Sequence, residues 1–512
     1  MKISYNWLKT YLDFPYSAEE LSAILTQTGL EVESLESFNE IQGGLKGVVI
    51  GEVLTCEKHP DADKLKVTTV SVGTDTPLQI VCGAPNVAAG QKVVVATVGC
   101  TLFPKPDEAF EIKKAKIRGV ASEGMLCAED ELGLGSSHDG ILVLPESAVV
   151  GMAAAEFFEL EEDIQLEIGL TPNRADAMGH IGVARDIKAY HNLQQTNRIE
   201  LNMPALQVLD NTHLPQLDIQ INDTDACKRY LAIKLDGVQV APSPKWLQNR
   251  LKAVGLKPIN NVVDISNYIQ RELGTPLHIF DAHQIGAKLQ VRCAQTNEAF
   301  LGLDNNNYKL AGHELVIANP TNALCLAGVL GGLESGVSAN TTEILIEAAL
   351  FDAVRIRKAA RQHGLNTDAS FRFERGVDPD LTETALLRCV QLLQEIAGAK
   401  VNSATFIFEG SVPKPIRLQL SAQQLHQMIG VAIPTEQVEQ ILKDLDFEIH
   451  TYQNNSWDLT VPAYRVDVTR PIDVIEEILR IYGLNTVEIP QKWNLSLSPN
   501  KDQCTDYNKE AC

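Results

Sequence analysis

Four carboxylates lie close together near the carboxyl end of the chain, in the segment YRVDVTRPIDVIEEILRIYG at positions 464–483. They are Asp467, Asp473, Glu476 and Glu477. Like charges one helical turn apart repel each other unless a cation lies among them. Oxygen ligands with no histidine or cysteine nearby suit Mg²⁺. The cluster therefore predicts a magnesium site, although acids in a first helical turn also interact favourably with the helix N terminus without any metal.

A helix must position these carboxylates. Pro471 suits the first turn of a helix, where its missing N–H costs nothing. Apolar residues then recur at helical spacing, at Ile472, Ile475, Leu479 and Tyr482. The pattern predicts a helix from Pro471, with Asp473, Glu476 and Glu477 on one face. Asp467 is expected to approach this face from the preceding strand.

The composition is that of a multidomain globular protein. The chain has 512 residues, of which 45% are hydrophobic and 6% aromatic, so we expect about three or four domains. No apolar run long enough for a membrane span and no secretory signal pattern is present, which predicts a cytoplasmic protein without membrane contact. The ten cysteines contain no C-x-x-C pair, which argues against a disulfide framework or a structural zinc site.

The net charge of −22 argues against a general nucleic-acid surface, because phosphate contacts require lysine and arginine. Any such binding must therefore be local. Two basic stretches occur, one with Lys105, Lys113, Lys114, Lys116 and Arg118, the other with Arg355, Arg357, Lys358, Arg361, Arg372 and Arg375. Each stretch taken alone is more often a solvated face than a binding site.

The sequence pattern of the first part of the chain changes near residue 40. Residues 1–40 predict a helical cap, with one helix that Ser17 caps and Gly29 ends. From 41 to 152, β-branched runs alternate with Gly, Pro and Asp turns, which predicts a small closed barrel of about five or six strands. These runs lie at 48–53, 67–72, 93–98, 112–117 and 141–144.

The remainder predicts two further domains and a tail. Residues 153–410 predict a helical connector, a linker at 204–215 and a large mixed α+β domain. Residues 411–487 predict a small helical, winged-helix-like domain that also holds two short strands. Residues 488–512 have few apolar residues and no periodicity, so we expect them to be unstructured. The expected fold class is therefore multidomain α+β.

Several motifs, in order along the chain, carry a resemblance to a known family. HPDADKLKV (59–67), VCGAPNV (81–87) and KIRGVASEGMLCA (116–128) resemble the oligonucleotide-binding (OB) barrel of tRNA-binding proteins. Downstream motifs are TPNRADAMGHIGVARDI (171–187), NNVVDISNYIQRELGTPLHIFD (260–281), LAGVLGG (326–332) and HGLNTDASFRFERGVDP (363–379). Together with the carboxylate segment, this ordered set resembles the β subunit of bacterial phenylalanine–tRNA ligase.

The resemblance implies roles for the domains. It implies that the OB barrel binds tRNA(Phe), with Lys113, Lys114, Lys116 and Arg118 as candidate contacts. The 153–410 region would be an editing domain that hydrolyses mischarged Tyr-tRNA(Phe). The four carboxylates would bind one Mg²⁺ at a site shared with an α subunit, in an α₂β₂ enzyme. ATP would be used by that enzyme but not bound by this chain.

The resemblance also implies an editing pocket. The matching residues are Ser266, Asn267, Pro276, His278, Ala327, Gly328 and Glu347. Glu347 would accept a hydrogen bond from a tyrosine phenol, and phenylalanine would leave it unpaired. His278 and Asn267 would place the ester or the attacking water. Without the family context, a histidine such as His278 is more often a hydrogen-bonded structural residue.

Two features depart from the pattern of a complete synthetase. FRFE at 371–374 matches part of an ATP-binding signature of class II synthetases, but no arginine-bearing partner motif follows it. We therefore assign no aminoacylation centre to this chain. Family members also continue into a further catalytic-like module and an anticodon-binding domain, so the chain is expected to be C-terminally truncated. The alternative function is that of a free-standing, non-enzymatic tRNA-binding protein.

Overall fold

The structure is a computed structural model that describes residues 1–105 and 108–488. The tail predicted at 488–512 lies, apart from Glu488, outside these residues. Within them the chain forms mixed α+β domains, as predicted. No helix in the described ranges is both long enough and apolar enough to cross a membrane. The eight cysteines in these ranges are all free thiols.

The first forty residues form helices, as the predicted helical cap requires, and also strands that the prediction did not include. Strands Lys2–Ser4 and Glu31–Asn39 both pair antiparallel with Glu162–Gly169, which follows the barrel region in sequence. Ser17 caps the second helix, as predicted, in a capping box with Glu20. The helices are Tyr5–Tyr11 and Ala18–Gln27. The strands were missed because their shared partner lies far along the chain.

The barrel region holds one six-stranded antiparallel sheet. Its strands, in spatial order, are Gly124–Leu126, Lys92–Thr97, Val48–His59, Ala62–Ser71 and Leu78–Cys82, with Val143–Leu144 also paired to Lys92–Thr97. Two hairpins flank it, Thr101–Lys105 with Glu108–Glu111 and Ala115–Ile117 with Val120–Ser122. Successive residues of Lys92–Thr97 enter two apolar clusters on opposite faces of the sheet. The run predicted at 112–117 contributes to a hairpin instead of this sheet.

A connector joins the barrel region to a two-sheet domain. Its elements are helix Ala154–Phe157, the 3₁₀ turn Ala175–Ala177 and helix His180–Gln194. Helix His180–Gln194 packs tightly on the 3₁₀ turn, since a Cβ at Gly182 would lie 1.9 Å from the backbone oxygen of Asp176. Residues 195–217, which include the predicted linker, contain no helix or strand.

The two-sheet domain encloses the largest apolar core. One sheet has the order Leu277–Asp281, Ile344–Phe351, Cys227–Asp236 and Lys400–Val401, with Phe406–Glu409 also paired to Cys227–Asp236. The other has the order Asp218–Ile221, Lys288–Cys293, Leu315–Ala318, Ala323–Leu326 and Leu330–Gly331. A separate hairpin pairs Ala299–Leu301 with Asn307–Lys309. Strand Ile344–Phe351 is buried along its whole length, because the second sheet covers one face and helices cover the other.

The helices of the two-sheet domain have well-defined ends. They are Lys245–Ala253, Asn261–Leu273, Ala282–Ile285, Ala353–Gln362, Asp368–Phe373 and Leu381–Ala397. Asn260 caps Asn261–Leu273 by accepting from two backbone N–H groups. The same helix ends at Gly274, whose φ of 77° is a left-handed conformation. The strand that carries His278 begins three residues later.

The last described domain packs three helices on a three-stranded sheet. The strands, in spatial order, are Arg417–Ser421, Ser456–Thr460 and Glu448–Gln453. The helices are Ala422–Ile429, Thr435–Asp444 and Pro471–Tyr482. Ser421 caps the first helix and Gly430 follows it with a φ of 89°. The third helix begins at Pro471, also as predicted.

Candidate functional site

A narrow pocket, the inter-sheet pocket, lies within the two-sheet domain. Strand Leu277–Asp281 runs antiparallel to Ile344–Phe351, and His278 is paired with Glu347 in their register. Both side chains therefore emerge on the same face of the sheet. Helix Asp368–Phe373 forms part of the wall. The pocket has a volume of about 60 Å³ and is lined by Pro276, Leu277, His278, Cys325, Gly328, Val329, Leu330, Gly331, Glu347, Ala369 and Phe373.

Two glycines keep this pocket open. A Cβ at Gly331 would lie only 2.6 Å from Cε1 of His278. Gly328 adopts a φ of 67°, and a Cβ there would lie 3.0 Å from Cδ2 of Phe373. Gly328 is thus favoured by its left-handed conformation in the turn between strands Ala323–Leu326 and Leu330–Gly331, whereas Gly331 is required for space.

The two central polar side chains of the pocket lack hydrogen-bond partners. Among the described residues, neither Nε2 of His278 nor Oε2 of Glu347 has one, although both atoms are buried. Burial raises the pKa of Glu347 to about 8 and lowers the pKa of His278 to about 4. At neutral pH Glu347 therefore keeps its proton and His278 is neutral. Buried polar atoms that stay unpaired cost free energy, so the arrangement suits a ligand that would pair with them.

A third unpaired polar atom lies in the same core. The hydroxyl of Tyr230 is buried and has no partner in the described part of the chain. Burial, reinforced by the nearby Glu347, raises the pKa of Tyr230 well above its usual value. Sequence reasoning missed both Tyr230 and Cys325, which lines the pocket. Neither belongs to a recognisable motif, and only the strand pairing brings Tyr230 to the face that carries Glu347.

The structure brings together four of the seven residues that the resemblance assigned to an editing pocket. Those that line the cavity are Pro276, His278, Gly328 and Glu347. Ser266 and Asn267 lie on helix Asn261–Leu273 and do not line it. The hydroxyl of Ser266 donates to the backbone oxygen of Val263 at 2.8 Å. Ala327 is buried in the apolar core beside the turn.

The four cations assigned to tRNA binding lie at or beside the hairpin that ends at Ser122. Lys113 is 2.9 Å from Glu111 and Lys114 is 2.5 Å from Glu123. Lys116 is exposed on the first strand of the hairpin, and Arg118 occupies its turn with a φ of 44°. Exposed ion pairs of this kind are weak, so phosphate groups can compete for these lysines. An adjoining cleft of about 470 Å³ is lined partly by Phe110 and Lys113.

The carboxylate cluster is neutralised by arginines. Arg465 donates to Asp467 at 2.9 Å and to Glu477 at 2.7 Å. Arg480 donates to Glu477 at 2.6 Å and forms a 2.9 Å ion pair with Asp186 of helix His180–Gln194. Burial opposes ionisation of Glu477, but Arg480 and Arg465 together hold its pKa far below the usual value.

The other two carboxylates of the cluster point elsewhere. Asp473 accepts from the backbone N–H groups of Thr469 and Arg470 and from the Arg470 guanidinium, which lowers its pKa. Glu476 is exposed, whereas Glu477 is buried. The prediction that Asp473, Glu476 and Glu477 share one face was therefore wrong, because consecutive helical residues diverge by about 100°.

These donors do not fit a magnesium site formed by this chain alone. Within residues 1–105 and 108–488, no group of three or more His, Cys, Asp or Glu side chains is arranged to hold a metal ion. The cations among the acids are Arg465, Arg470 and Arg480. Arginines thus relieve the repulsion among the carboxylates that suggested a metal ion. The prediction of a metal site considered only the acids and did not consider arginines as the counter-charge.

Comparisons with known proteins cover most of the chain. Three family models match, a tRNA binding domain at 48–153, a B3/4 domain at 226–398 and a tRNA synthetase B5 domain at 418–484. The Bacteroides fragilis protein named phenylalanine–tRNA ligase beta subunit is 48% identical over 99% of this chain. The protein of the same name from Porphyromonas gingivalis is 48% identical over 96% of it.

The chain is shorter than these relatives. It spans 62% of the length of the first and 60% of the second. Among solved structures, an N-terminal fragment of the phenylalanyl-tRNA synthetase beta subunit from Pyrococcus horikoshii matches at 15% identity and a TM-score of 0.33. That match covers 62% of this chain and 87% of the fragment.

Proposed function

We infer that the chain belongs to the family of phenylalanine–tRNA ligase beta subunits over the part of them that it spans. On this premise we propose that it binds tRNA(Phe) and hydrolyses tyrosyl-tRNA(Phe) in the inter-sheet pocket. The observation that carries the proposal is the buried pair of unpartnered polar atoms, Nε2 of His278 and Oε2 of Glu347. The proposal assigns these atoms to a bound substrate.

A second, hydrolytic pocket has a physical reason to exist. A synthetic site shaped for phenylalanine rejects an added hydroxyl by only about a hundredfold through apolar contacts. A hydrolytic site can instead select the hydroxyl. The neutral carboxyl group of Glu347 would pair with the phenol of tyrosine, whereas phenylalanine would leave that carboxyl group unpaired in the protein interior. The site would then prefer tyrosine over phenylalanine because leaving the carboxyl group of Glu347 unpaired costs free energy.

The chemistry at the ester requires a positioned water molecule. His278 is neutral at pH 7, so its ring can accept from or donate to water without a charge change. Ser266 and Asn267 do not line the cavity, so a contact between either of them and the nucleotide part of the substrate stays a prediction. The chain's contribution in this proposal is to orient the ester and the water and to select the side chain.

The roles of the wider assembly are proposed from the family. We propose that an α subunit carries out ATP-dependent aminoacylation, that the two chains assemble in the cytoplasm as α₂β₂, and that this chain supplies tRNA contacts. Within this chain arginines already neutralise Asp467 and Glu477. A magnesium ion at the four carboxylates is therefore proposed only for the complex, where the α subunit would have to complete the site.

Deacylation of tyrosyl-tRNA(Phe) tests the proposed activity. Purified chain, alone and co-expressed with an α subunit, should release tyrosine, and phenylalanyl-tRNA(Phe) should be a poorer substrate. Glu347→Ala should lose the preference for tyrosine, and His278→Ala should slow hydrolysis. Glu334→Ala, an exposed glutamate outside the pocket lining, is the matched control and should retain wild-type rates.

The same assay evaluates the alternative of a non-enzymatic tRNA-binding protein. The separate match of a tRNA binding domain at 48–153 favours binding irrespective of hydrolysis. Absence of tyrosine release in both preparations, together with measurable tRNA(Phe) binding, would favour the alternative. Release that is equal for Glu347→Ala and wild type would refute the assignment of this pocket.

A further inference from the structure

A second cleft adjoins the helix that lines the inter-sheet pocket. Ala369 and Phe373 of helix Asp368–Phe373 face the pocket, whereas Asp368, Phe371 and Arg372 line a cleft of about 370 Å³. Lys2 and Arg271 also line this cleft, which we call the arginine cleft. Since a helix with side chains is about 10 Å across, the two cavities are close neighbours.

The arginine cleft contains more positive than negative charge. Arg271 donates to both carboxylate oxygens of Asp368, at 2.9 and 2.8 Å. Arg372 also reaches Asp368, at 2.9 Å to its backbone oxygen and 3.3 Å to a carboxylate oxygen. Among the described residues that line the cleft, Asp368 is the only acid. Two guanidinium groups thus share one carboxylate, in a chain whose net charge is −22.

Neither arginine is fully satisfied. Nε of Arg271 and Nε of Arg372 are buried and have no hydrogen-bond partner in the described ranges. Arg372 is only 1% exposed, and burial together with the nearby Arg271 lowers its pKa to about 9. A buried arginine without a full counter-charge is costly. An oxyanion entering the cleft would supply both the missing charge and the missing acceptors.

We propose that the arginine cleft binds the backbone phosphates of the last nucleotides of a tRNA whose aminoacyl ester occupies the inter-sheet pocket. The proposal rests on the proposed editing function and names where the substrate's nucleotides lie. Guanidinium groups bind phosphate through two parallel hydrogen bonds. The ring of Phe371 adds an aromatic surface to the cleft, and cations combined with aromatic rings are typical of sites for single-stranded nucleic acid.

This placement accounts for a motif that the fold alone leaves unexplained. The segment FRFE at 371–374 resembles part of an ATP-binding signature, yet no partner motif accompanies it. Nη2 of Arg372 donates to the backbone oxygen of Met178 at 3.1 Å, and this hydrogen bond fixes the guanidinium group to the connector. A guanidinium fixed in this way loses little conformational entropy when it binds an anion.

Binding of a 5′-labelled ACCA tetranucleotide, the terminal sequence of tRNA, tests the cleft directly. Fluorescence anisotropy should show affinity weakened by about tenfold or more for Arg271→Gln, because a charge-assisted hydrogen bond is removed. Lys358→Gln removes the same charge from an exposed position on helix Ala353–Gln362 outside the cleft and should bind as wild type. Equal affinities for Arg271→Gln and wild type would overturn the proposal.

A tetranucleotide with uncharged methylphosphonate linkages makes the test specific. The wild type should bind this uncharged tetranucleotide more weakly than the charged one. Arg271→Gln should weaken binding of the uncharged tetranucleotide little further, because the substitution and the uncharged linkage remove the same interaction. Independent, additive reductions would contradict direct contact. Arg372→Lys keeps the charge but removes the planar fork, so it should weaken binding while thermal unfolding verifies that it folds.

Failure of the cleft and failure of the editing function are distinguishable. Native protein that releases no tyrosine from tyrosyl-tRNA(Phe) would refute editing, and the tetranucleotide would still decide whether the cleft binds phosphates. If both activities are present, Arg271→Gln should raise the KM for tyrosyl-tRNA(Phe) severalfold. It should leave hydrolysis of the tyrosyl ester of adenosine, which lacks these phosphates, unchanged.

Discussion

At the scale of single residues, Glu347 has an unusual environment for a glutamate. The residue is 4% exposed, one oxygen of its carboxyl group has no partner among the described residues, and it is paired with His278 in the strand register. A glutamate in such a position is kept protonated at the expense of folding stability at high pH. Retention of a destabilising residue in a cavity is typical of a binding or catalytic site.

Replacing this carboxyl group should change how stability depends on pH. The pKa of Glu347 is about 8 in the folded chain, compared with about 4.3 when unfolded. Between these values the folded state binds one more proton, so the free energy of unfolding falls by up to roughly 1.4 kcal/mol per pH unit as pH rises. Glu347→Gln should remove this contribution, and the gain should be greater at pH 8 than at pH 5.

Urea unfolding at several pH values measures this effect. Glu334→Gln, at an exposed glutamate away from the pocket lining, serves as the control and should follow the wild-type pH dependence. Parallel curves for Glu347→Gln and wild type between pH 5 and pH 8 would mean that the carboxyl group is ionised in the folded chain. The hydrogen bond proposed for a tyrosine phenol would then need a different description.

At the scale of elements, arginines fix helix Pro471–Tyr482 in place. Arg480 links this helix to Asp186 of helix His180–Gln194, and Arg465 links it to the preceding turn. Arg174 extends the network by pairing with Asp186 at 2.6 Å. One of the four carboxylates, Glu477, therefore contributes through its described contacts to the packing of two domains.

Two adjacent glutamates of this helix should behave differently. Glu477→Gln leaves Arg465 and Arg480 without their shared carboxylate and should lower the free energy of unfolding by roughly 3 kcal/mol. Glu476→Gln, one residue away and exposed, should change it by less than about 0.5 kcal/mol. Since the pKa of Glu477 is depressed, its stabilising effect is present above the unfolded value and is lost as pH falls below it.

Calorimetry of both variants, with and without magnesium, measures this difference. The wild-type chain without its α subunit should unfold at the same temperature in magnesium and in EDTA, because arginines supply the counter-charge. A magnesium-dependent rise in the unfolding temperature that both substitutions abolish would instead establish a metal site within this chain.

Local signals in the sequence predicted elements better than contacts between them. Ser17 and Pro471 lie at helix starts as predicted, because caps and breakers act within a few residues. Strand Lys2–Ser4 was missed, since its pairing with Glu162–Gly169 is not encoded locally. Arg465 stands two residues before Asp467 in the sequence, yet its pairing with Glu477 depends on how the turn folds back.

The residues of the candidate pocket could also be predicted only in part from the sequence. Pro276, His278 and Glu347 were assigned through a resemblance, and strand register brings them to one cavity. Ser266 was assigned in the same way and does not line it. Tyr230 required the structure, because its proximity to Glu347 arises from the pairing of two distant strands. Sequence motifs thus indicated the site, and tertiary packing determined its members.

At the scale of the whole molecule, the distribution of charge matters more than its sum. A net charge of −22 repels nucleic acid at long range, so tRNA binding requires concentrated local cations. Two such places are separated in sequence, the hairpin that carries Lys116 and Arg118 and the arginine cleft with Arg271 and Arg372. The proposed functions assign the first to the body of the tRNA and the second to its acceptor end.

Changing the hairpin should therefore weaken binding of whole tRNA(Phe) without affecting the terminal tetranucleotide. Lys116→Glu with Arg118→Glu should make the dependence of log K on log salt shallower by about 0.7–0.9 for each phosphate that the protein no longer neutralises. Lys309→Glu with Lys400→Glu, at two exposed lysines of the two-sheet domain, controls for the same change in net charge. Filter binding across salt concentrations measures both slopes. Equal slopes for hairpin and control variants would rule out tRNA binding by the hairpin, because only a direct interaction with phosphate releases counterions from the nucleic acid.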